Sequence, residues 1–315
     1  MTVSAITRTP AGRALGTDIS SAHSLDEALE LARLDWTIEE HSADNFAIMT
    51  EEGITTTGMP GMRFFLRSDT KAALHLGGGR YTAVTNADAF APAEAAIALG
   101  ARFATAGEIK GGKQAYVELD MPDATVSVGG KDLVTFQLLL RTAHDGSGRV
   151  VGEARARRLV CMNGMTANIG FPAAFAIGHT SSAHDRLAAA KKMMQGAVRY
   201  AKEFSAVADH MLDTPMSNTQ FVEFIDGLYP QPPIEDKRAR GIWERRRGEL
   251  IELFRFAGTN DLGRGSRWGA YAALTEHLDW FGTVRGSVDA RAQRQLENTA
   301  QGAKDRAMKM LVAHA

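Results

Sequence analysis

Cations gathered at three places along the chain set the chemistry this sequence can attempt. The run Arg149-Val-Val-Gly-Glu-Ala-Arg-Ala-Arg-Arg158 carries Arg149, Arg155, Arg157 and Arg158 against one acid, Glu153. In an extended strand side chains alternate, so Arg155 and Arg157 share one face and Arg158 takes the other. Two arginines side by side along a strand suit phosphates rather than base edges, and neither is expected in a core. The Lys110-Gly-Gly-Lys113 turn places two lysines on a loop whose backbone can approach a phosphate. Residues 237–247 add Arg245 and Arg246 to Lys237, Arg238, Arg240 and Arg247, with Trp243 between them. Binding of a polyanion needs cations on a rigid surface, and aromatics where bases are to stack. Each cluster also has a plainer reading. The strand is then a charged edge that resists aggregation, and the helix a solvated face paired to acids four residues away. Whether the basic strand or the basic helix is the binding surface stays open at this level.

Catalytic signatures are not apparent. There is no Gly-x-Ser-x-Gly elbow, no His-Glu-x-x-His and no dinucleotide fingerprint after a strand. Gly77-Gly78-Gly79 lacks the Lys-Ser/Thr partner of a phosphate loop and reads as a turn before Tyr81. His179 and His184 lie five apart with Asp185 adjacent, but spacing without a third ligand does not define a metal site. His144-Asp145 falls at a turn, where Asp is an ordinary residue. Cys161 follows an apolar strand and reads as a small buried hydrophobe. No metal or cofactor is therefore expected. The question of an enzyme is left open, with no residue pair arguing for one.

These residues need elements to hold them. Residues 134–165 form two β-rich runs around Asp145-Gly146 and Gly148, a hairpin signal because glycine accepts the positive φ of tight turns. Before it, Ser24-Leu-Asp-Glu27 is a capping box opening a short helix to about Leu34, with Leu25, Leu29, Leu31 and Leu34 as its buried stripe. Strands are expected at 36–40, 45–50, 62–67, 81–85, 102–107 and 114–119, and a helix at 87–99 between Asn86 and Gly100. The fold class is α+β, with a mostly antiparallel sheet and packed helices in the N-terminal half. The C-terminal half reads as helical: 182–212, 219–228, 234–256, 266–281 and 287–313. This divides the chain into a flexible arm (1–24), an α+β core (25–170) and a helical region (171–315), with a proline-rich linker at 229–233.

Composition narrows the partners. The 315 residues are 44% hydrophobic and 23% charged, with net charge −1. No global field attracts nucleic acid, so any such binding must be local. A single cysteine leaves no intramolecular disulfide and no Cys-based zinc site. No run approaches the roughly 18 apolar residues of a membrane span, and no secretory signal interrupts the N-terminus, so a cytoplasmic protein is expected.

Several stretches carry a family resemblance. They are Arg80-Tyr-Thr-Ala-Val-Thr-Asn86, Thr105-Ala-Gly-Glu-Ile-Lys-Gly-Gly112, Ala143-His-Asp-Gly-Ser147, Arg158-Leu-Val-Cys-Met-Asn163, Ile177-Gly-His-Thr180 and Trp268-Gly-Ala-Tyr-Ala-Ala-Leu-Thr-Glu-His-Leu278. In order and spacing they resemble the phage/plasmid-like protein family, which carries a domain of unknown function. The resemblance implies an origin among phage and plasmid DNA-metabolism proteins. The expected shape is similar to single-strand annealing proteins of the RecT/Redβ type, which form rings or filaments and cradle phosphates without a catalytic site. The expectation is a homo-oligomer that binds single-stranded DNA and promotes annealing and recombination. A structural or host-interaction phage protein and a metal-dependent DNA-processing enzyme are the alternatives.

Overall fold

A computed structural model describes residues 14–165, 174–180, 182, 195–282, 288–297 and 299–313. The chain enters through a two-residue strand, β1 (Thr17–Asp18), and a helix, α1 (Leu25–Leu31). Ser24 caps α1 by accepting from Glu27 N at 3.2 Å, and the Glu27 carboxylate accepts from His23 N at 2.8 Å. The helix stops earlier than its periodicity suggests, because Arg33 turns left-handed (φ 56°). Leu25, Leu29 and Leu34 are buried, whereas Leu31 faces solvent.

Next come β2 (Ile38–Ser42), β3 (Phe46–Thr50), β4 (Gly53–Thr57), β5 (Met62–Arg67) and β6 (Ala73–Gly78). Strands β2, β5 and β6 make a three-stranded antiparallel sheet, and β3 and β4 a separate hairpin. Two of the three consecutive glycines do not form a turn. Gly77 and Gly78 lie within β6 opposite Arg63 and Met62. The helix expected at 87–99 is two short ones, α2 (Asn86–Phe90) and α3 (Pro92–Ile97), broken where Pro92 withholds its N–H. Thr85, not Asn86, is the cap, its hydroxyl accepting from Asp88 N at 3.1 Å. Asn86 is thereby released to donate to Leu34 O at 2.9 Å.

The main sheet follows: β7 (Arg102–Ile109), β8 (Gln114–Val128), β9 (Asp132–Ala143), β10 (Val150–Arg158) and β11 (Ala174–Ile177). Its order is β1-β7-β8-β9-β10-β11, antiparallel throughout. Gly146 takes φ 74° in the β9–β10 connection, as the turn chemistry demands. The second arm of the hairpin ends at Arg158 rather than 165, because Met162 (φ 55°) reverses the chain. The helical half contains α4 (Gln195–Asp213), α5 (Asn218–Leu228), α6 (Lys237–Phe256), α7 (Arg267–Glu276), α8 (Val288–Leu296) and α9 (Gln301–Ala313). A π-helical turn, His277–Phe281, extends α7, and the last expected helix is divided into α8 and α9. No helix among the described residues is long and apolar enough to cross a membrane.

One face of the main sheet is apolar. Val117 and Leu119 of β8, Phe136, Leu138 and Leu140 of β9, and Ala154 and Ala156 of β10 join Tyr200 and Phe204 of α4 and Trp268 of α7 in one cluster. Phe204 sits edge-on to Phe136 at 5.6 Å and to Trp268 at 6.1 Å. This cluster runs from Ile19 to Leu311 and draws on both the sheet and the helical half.

Candidate functional site

The other face of the main sheet is polar, and strand register makes it so. Gln137 lies between Asp120 and Arg155, Leu139 between Glu118 and Glu153, and Arg141 between Tyr116 and Val151. With Thr105 opposite Glu118, the face holds a ladder of opposed charges. Thr105 Oγ1 donates to Glu118 at 2.9 Å, Gln137 Nε2 to Asp120 at 2.6 Å, and Arg157 stands 3.8 Å from Glu118.

Helix α8 covers this face. Ala292 and Leu296 pack on Tyr116 and Leu139, with Leu15 and Ile109 at the margin, as a small apolar cluster apart from the main core. Arg155 secures the end of the helix. Its guanidinium donates to Gln295 O at 3.0 Å and Leu296 O at 2.6 Å, and pairs with Glu153 at 2.5 Å. A cation is favoured there by the unpaired carbonyls and the dipole of the helix C-terminus.

This arrangement corrects the expectation of open arginines on the basic strand. Arg155 is 9% exposed, and the Arg157 side chain is 12% exposed. Strand alternation did put them on one face with Arg158 opposite, but the shared face is a covered one. Arg158 is wholly buried, paired with Asp132 at 2.6 Å and donating to Thr259 O at 2.7 Å. The reason is tertiary: a central strand has two faces, and here a helix lies on each.

The remaining expected cations divide. Arg149 is exposed just before β10, and Lys110 is exposed at 3.6 Å from Glu297. Lys110, Gly111 and Gly112 are all left-handed (φ 57°, 68° and 87°), which turns β7 sharply into β8. Lys113 is half-buried, and its carbonyl accepts from His144 N at 2.7 Å. On α6, Arg245 is exposed at 4.0 Å from Glu249, the solvated i,i+4 arrangement, while Arg246 lies 4.5 Å over the Tyr229 ring.

Lys110 and Arg149 meet at a cleft of about 510 Å³ beside the end of α8, lined also by Gln114, Arg141, Glu297 and Thr299. Arg141 was not picked out from the sequence. Its signal is the alternation of Gln137, Leu139 and Arg141 along an otherwise apolar strand. Its Nε makes no hydrogen bond and lies 3.9 Å from Glu153. Burial holds its guanidinium below the ordinary arginine range, and Arg155 adds to this, while Glu153 and Glu297 oppose it.

A second cluster of chemically able groups packs around His144, next to the β9–β10 turn. Tyr81 stacks on His179 at 5.3 Å and donates to His144 O at 3.2 Å, and the Trp36 ring meets His144 edge-on at 5.2 Å. His144 Nε2 bonds Asn86 Oδ1 at 2.9 Å. Burial, then the neighbouring His179, pushes His144 down to about 3, and burial lowers His179 as well. His184 and Asp185 lie outside the described residues. Among the described residues no group of His, Cys, Asp or Glu is arranged to hold a metal. Cys161 is buried, its thiol pushed up to about 11 by burial.

The fold and site define an α+β protein with an antiparallel sheet that is apolar on one face and charged on the other, each face covered by helices. The chain belongs to the family described as Domain of unknown function (DUF932), whose model matches residues 73–303. That span takes in the charged face, the cleft and the covering helix α8. No curated protein and no solved structure matches the chain.

Proposed function

We propose that this protein binds single-stranded DNA through its phosphate backbone and promotes annealing as a homo-oligomer, without a catalytic step. The observation that carries this reading is the cleft beside α8, where Lys110, Arg141 and Arg149 face one acid, Glu297. Three cations on the ends of rigid strands, next to a glycine turn that lets backbone approach, suit a chain of phosphates. The resemblance of the quoted stretches to phage/plasmid-like proteins is what points to an origin among mobile-element DNA-metabolism proteins. The buried Arg155 and Arg157 leave the reading to the cleft and the turn.

The test is fluorescence anisotropy on labelled oligonucleotides across a salt series. Lys110→Ala with Arg149→Ala should weaken binding of any sequence about equally and lower the salt slope of log K by about 1.4, two contacts at about 0.7 each. Wild-type protein with no salt-dependent binding sinks the proposal. If Arg245→Ala with Arg246→Ala alone loses affinity, the surface is α6 instead.

A second reading, a host-interaction or structural protein, is favoured by the hairpin of β3 and β4. Met49 is 82% exposed and Ile54 is 74% exposed on it, and β4 is exposed along its whole length. Paired strands standing alone in water are marginal, and exposed apolar side chains on them suit a protein contact.

A further inference from the structure

Between α5, α7 and α9 lies a groove of about 350 Å³. Met216, Phe224, Met310 and Leu311 give it an apolar floor, with Glu223 the one acid among its lining residues. Two helices begin at its edge. A bridge between Pro215 and Ser266, with Met216 N donating to Gly265 O at 2.8 Å and Arg267 N to Thr214 O at 3.0 Å, holds the start of α5 beside the start of α7. Both N-termini carry positive partial charge. The opposing carbonyl end of α9 is met by Arg267, which donates to Leu311 O at 2.7 Å. Arg306 is exposed one turn before Met310, on the same side of α9. The complementary shape stands elsewhere on the chain, on the hairpin of β3 and β4. Met49 and Ile54 are directly opposed in its register, so they project together from one face. They are 82% and 74% exposed. The turn that joins them, Thr50-Glu51-Glu52-Gly53, is exposed and acidic, and residues 46–57 hold no cation.

We propose that the groove is the docking site for the β3–β4 hairpin of a second copy of this chain. The Met49–Ile54 pair enters the groove, and Glu51 and Glu52 meet the two helix N-termini and Arg306. Size and charge select that occupant. A cavity of about 150 Å³ takes a benzene-sized group, so a groove of about 350 Å³ has room for both side chains. Methionines in the floor adapt to the shape of an inserted chain. Acids are favoured beside helix N-termini and beside a cation. Two hairpins meeting tip to tip would instead set Glu51 and Glu52 of both copies against each other. Docking also removes exposed apolar side chains from a pair of strands that is marginal when alone in water. A knob and a groove on different patches join copies head to tail, into a ring if the rotation closes and a filament if it does not. The contact rests on the homo-oligomer of the reading above and gives it a surface; it does not depend on DNA binding.

The experiment is sedimentation velocity of the full chain over a concentration series, without DNA. Met49→Thr with Ile54→Thr removes the knob and keeps strand-forming residues. Met310→Gln makes the groove floor polar, and Arg306→Glu, on an exposed residue, is the groove variant that leaves the packing alone. Circular dichroism checks that each folds. Wild type should self-associate, and the knob variant and Met310→Gln should each weaken association at least about tenfold, the loss of one buried anchor. An equimolar mixture of the knob variant and Met310→Gln should form a heterodimer, since one still offers a groove and the other a knob. Glu51→Lys with Glu52→Lys should weaken association, and adding Arg306→Glu to the same chain should restore part of it. Association untouched by both groove variants, or by the knob variant, overturns the contact and leaves the oligomer to another surface. Association that needs the knob but not the groove, with no heterodimer in the mixture, means that hairpins pair with each other and also overturns it. A wild type that stays monomeric overturns both the contact and the homo-oligomer, and returns the hairpin to a different protein partner. Salt-dependent oligonucleotide binding by that monomer would leave the DNA-binding reading standing alone.

Discussion

Single buried charges decide more here than the exposed ones. Arg158 lies at the centre of a network in which Asp132 also accepts from Trp268 Nε1 at 2.8 Å. Removing one partner of a buried pair leaves the other charged and unsolvated, at a cost of about 3–5 kcal/mol. Arg158→Ala should therefore lower stability by that amount in chemical denaturation, whereas Arg149→Ala should change it by less than about 0.5 kcal/mol. His144 gives a pH signature. Its folded value is about 3 against 6.5 for a free histidine, so between those values only the unfolded chain takes the proton. Stability then rises with pH across that window, and is lost as pH falls below about 6.5, by up to about 1.4 kcal/mol per unit for this one group. His179, lowered in the same direction, adds to the slope. Denaturation between pH 6.5 and 5, above the ordinary carboxylate range, should show the loss, and His144→Gln should flatten it. An unchanged midpoint across that range would mean that His144 is exposed in solution.

Elements explain why such residues sit where they do. The β9–β10 connection needs Gly146 twice over. Its φ of 74° is left-handed, and a Cβ there would stand 2.5 Å from the His75 ring. Gly146→Val should cost at least about 1 kcal/mol, read as a lower melting temperature. Helix α8 rests on the charged face through Ala292, Leu296 and the Arg155 cap, and Arg291 and Gln295 tie it to Asp279 O. Leu296→Ala should remove about 2–3 kcal/mol of packing. The effect should appear first as faster amide exchange within Val288–Leu296, ahead of the strands beneath it. Uniform acceleration across β8, β9 and β10 would show that α8 is integral to the sheet's stability. The hairpin at Gly146 was readable from Asp145-Gly146, a local signal. The role of α8 was not, because its polar sequence looks the same on a solvated helix as on one lying over a charged sheet.

At the scale of the whole molecule, one apolar cluster joins the two halves of the chain. Phe204 of α4 meets both Phe136 of the sheet and Trp268 of α7. The proline segment at 229–233 connects helices that are themselves tied together, by Trp243 Nε1 donating to Tyr229 O at 2.8 Å and by the Arg247–Asp226 pair at 2.9 Å. Thermal unfolding should accordingly be one transition, with tryptophan fluorescence and far-ultraviolet circular dichroism coincident. Two separated transitions would show that the sheet and the helices unfold independently. With a net charge of −1, any polyanion binding should be strongly salt-dependent and confined to the mutated patch.

Local patterns in the sequence were enough for the α+β class, the antiparallel strands, the capping by Ser24 and the glycine turns at 111–112 and 146. Each of these depends on residues a few positions apart, through alternation, helical periodicity or the φ a turn requires. The same alternation placed Arg155 and Arg157 together and Arg158 opposite. It could not say which face meets water, since that depends on what packs against the strand from more than a hundred residues away. Only the tertiary structure brought Gln295 and Leu296 to Arg155, buried the basic strand between two layers of helix, and set Arg141 beside Lys110 and Arg149 at one cleft. A strand carries its period in its own sequence, but its burial is a property of its neighbours.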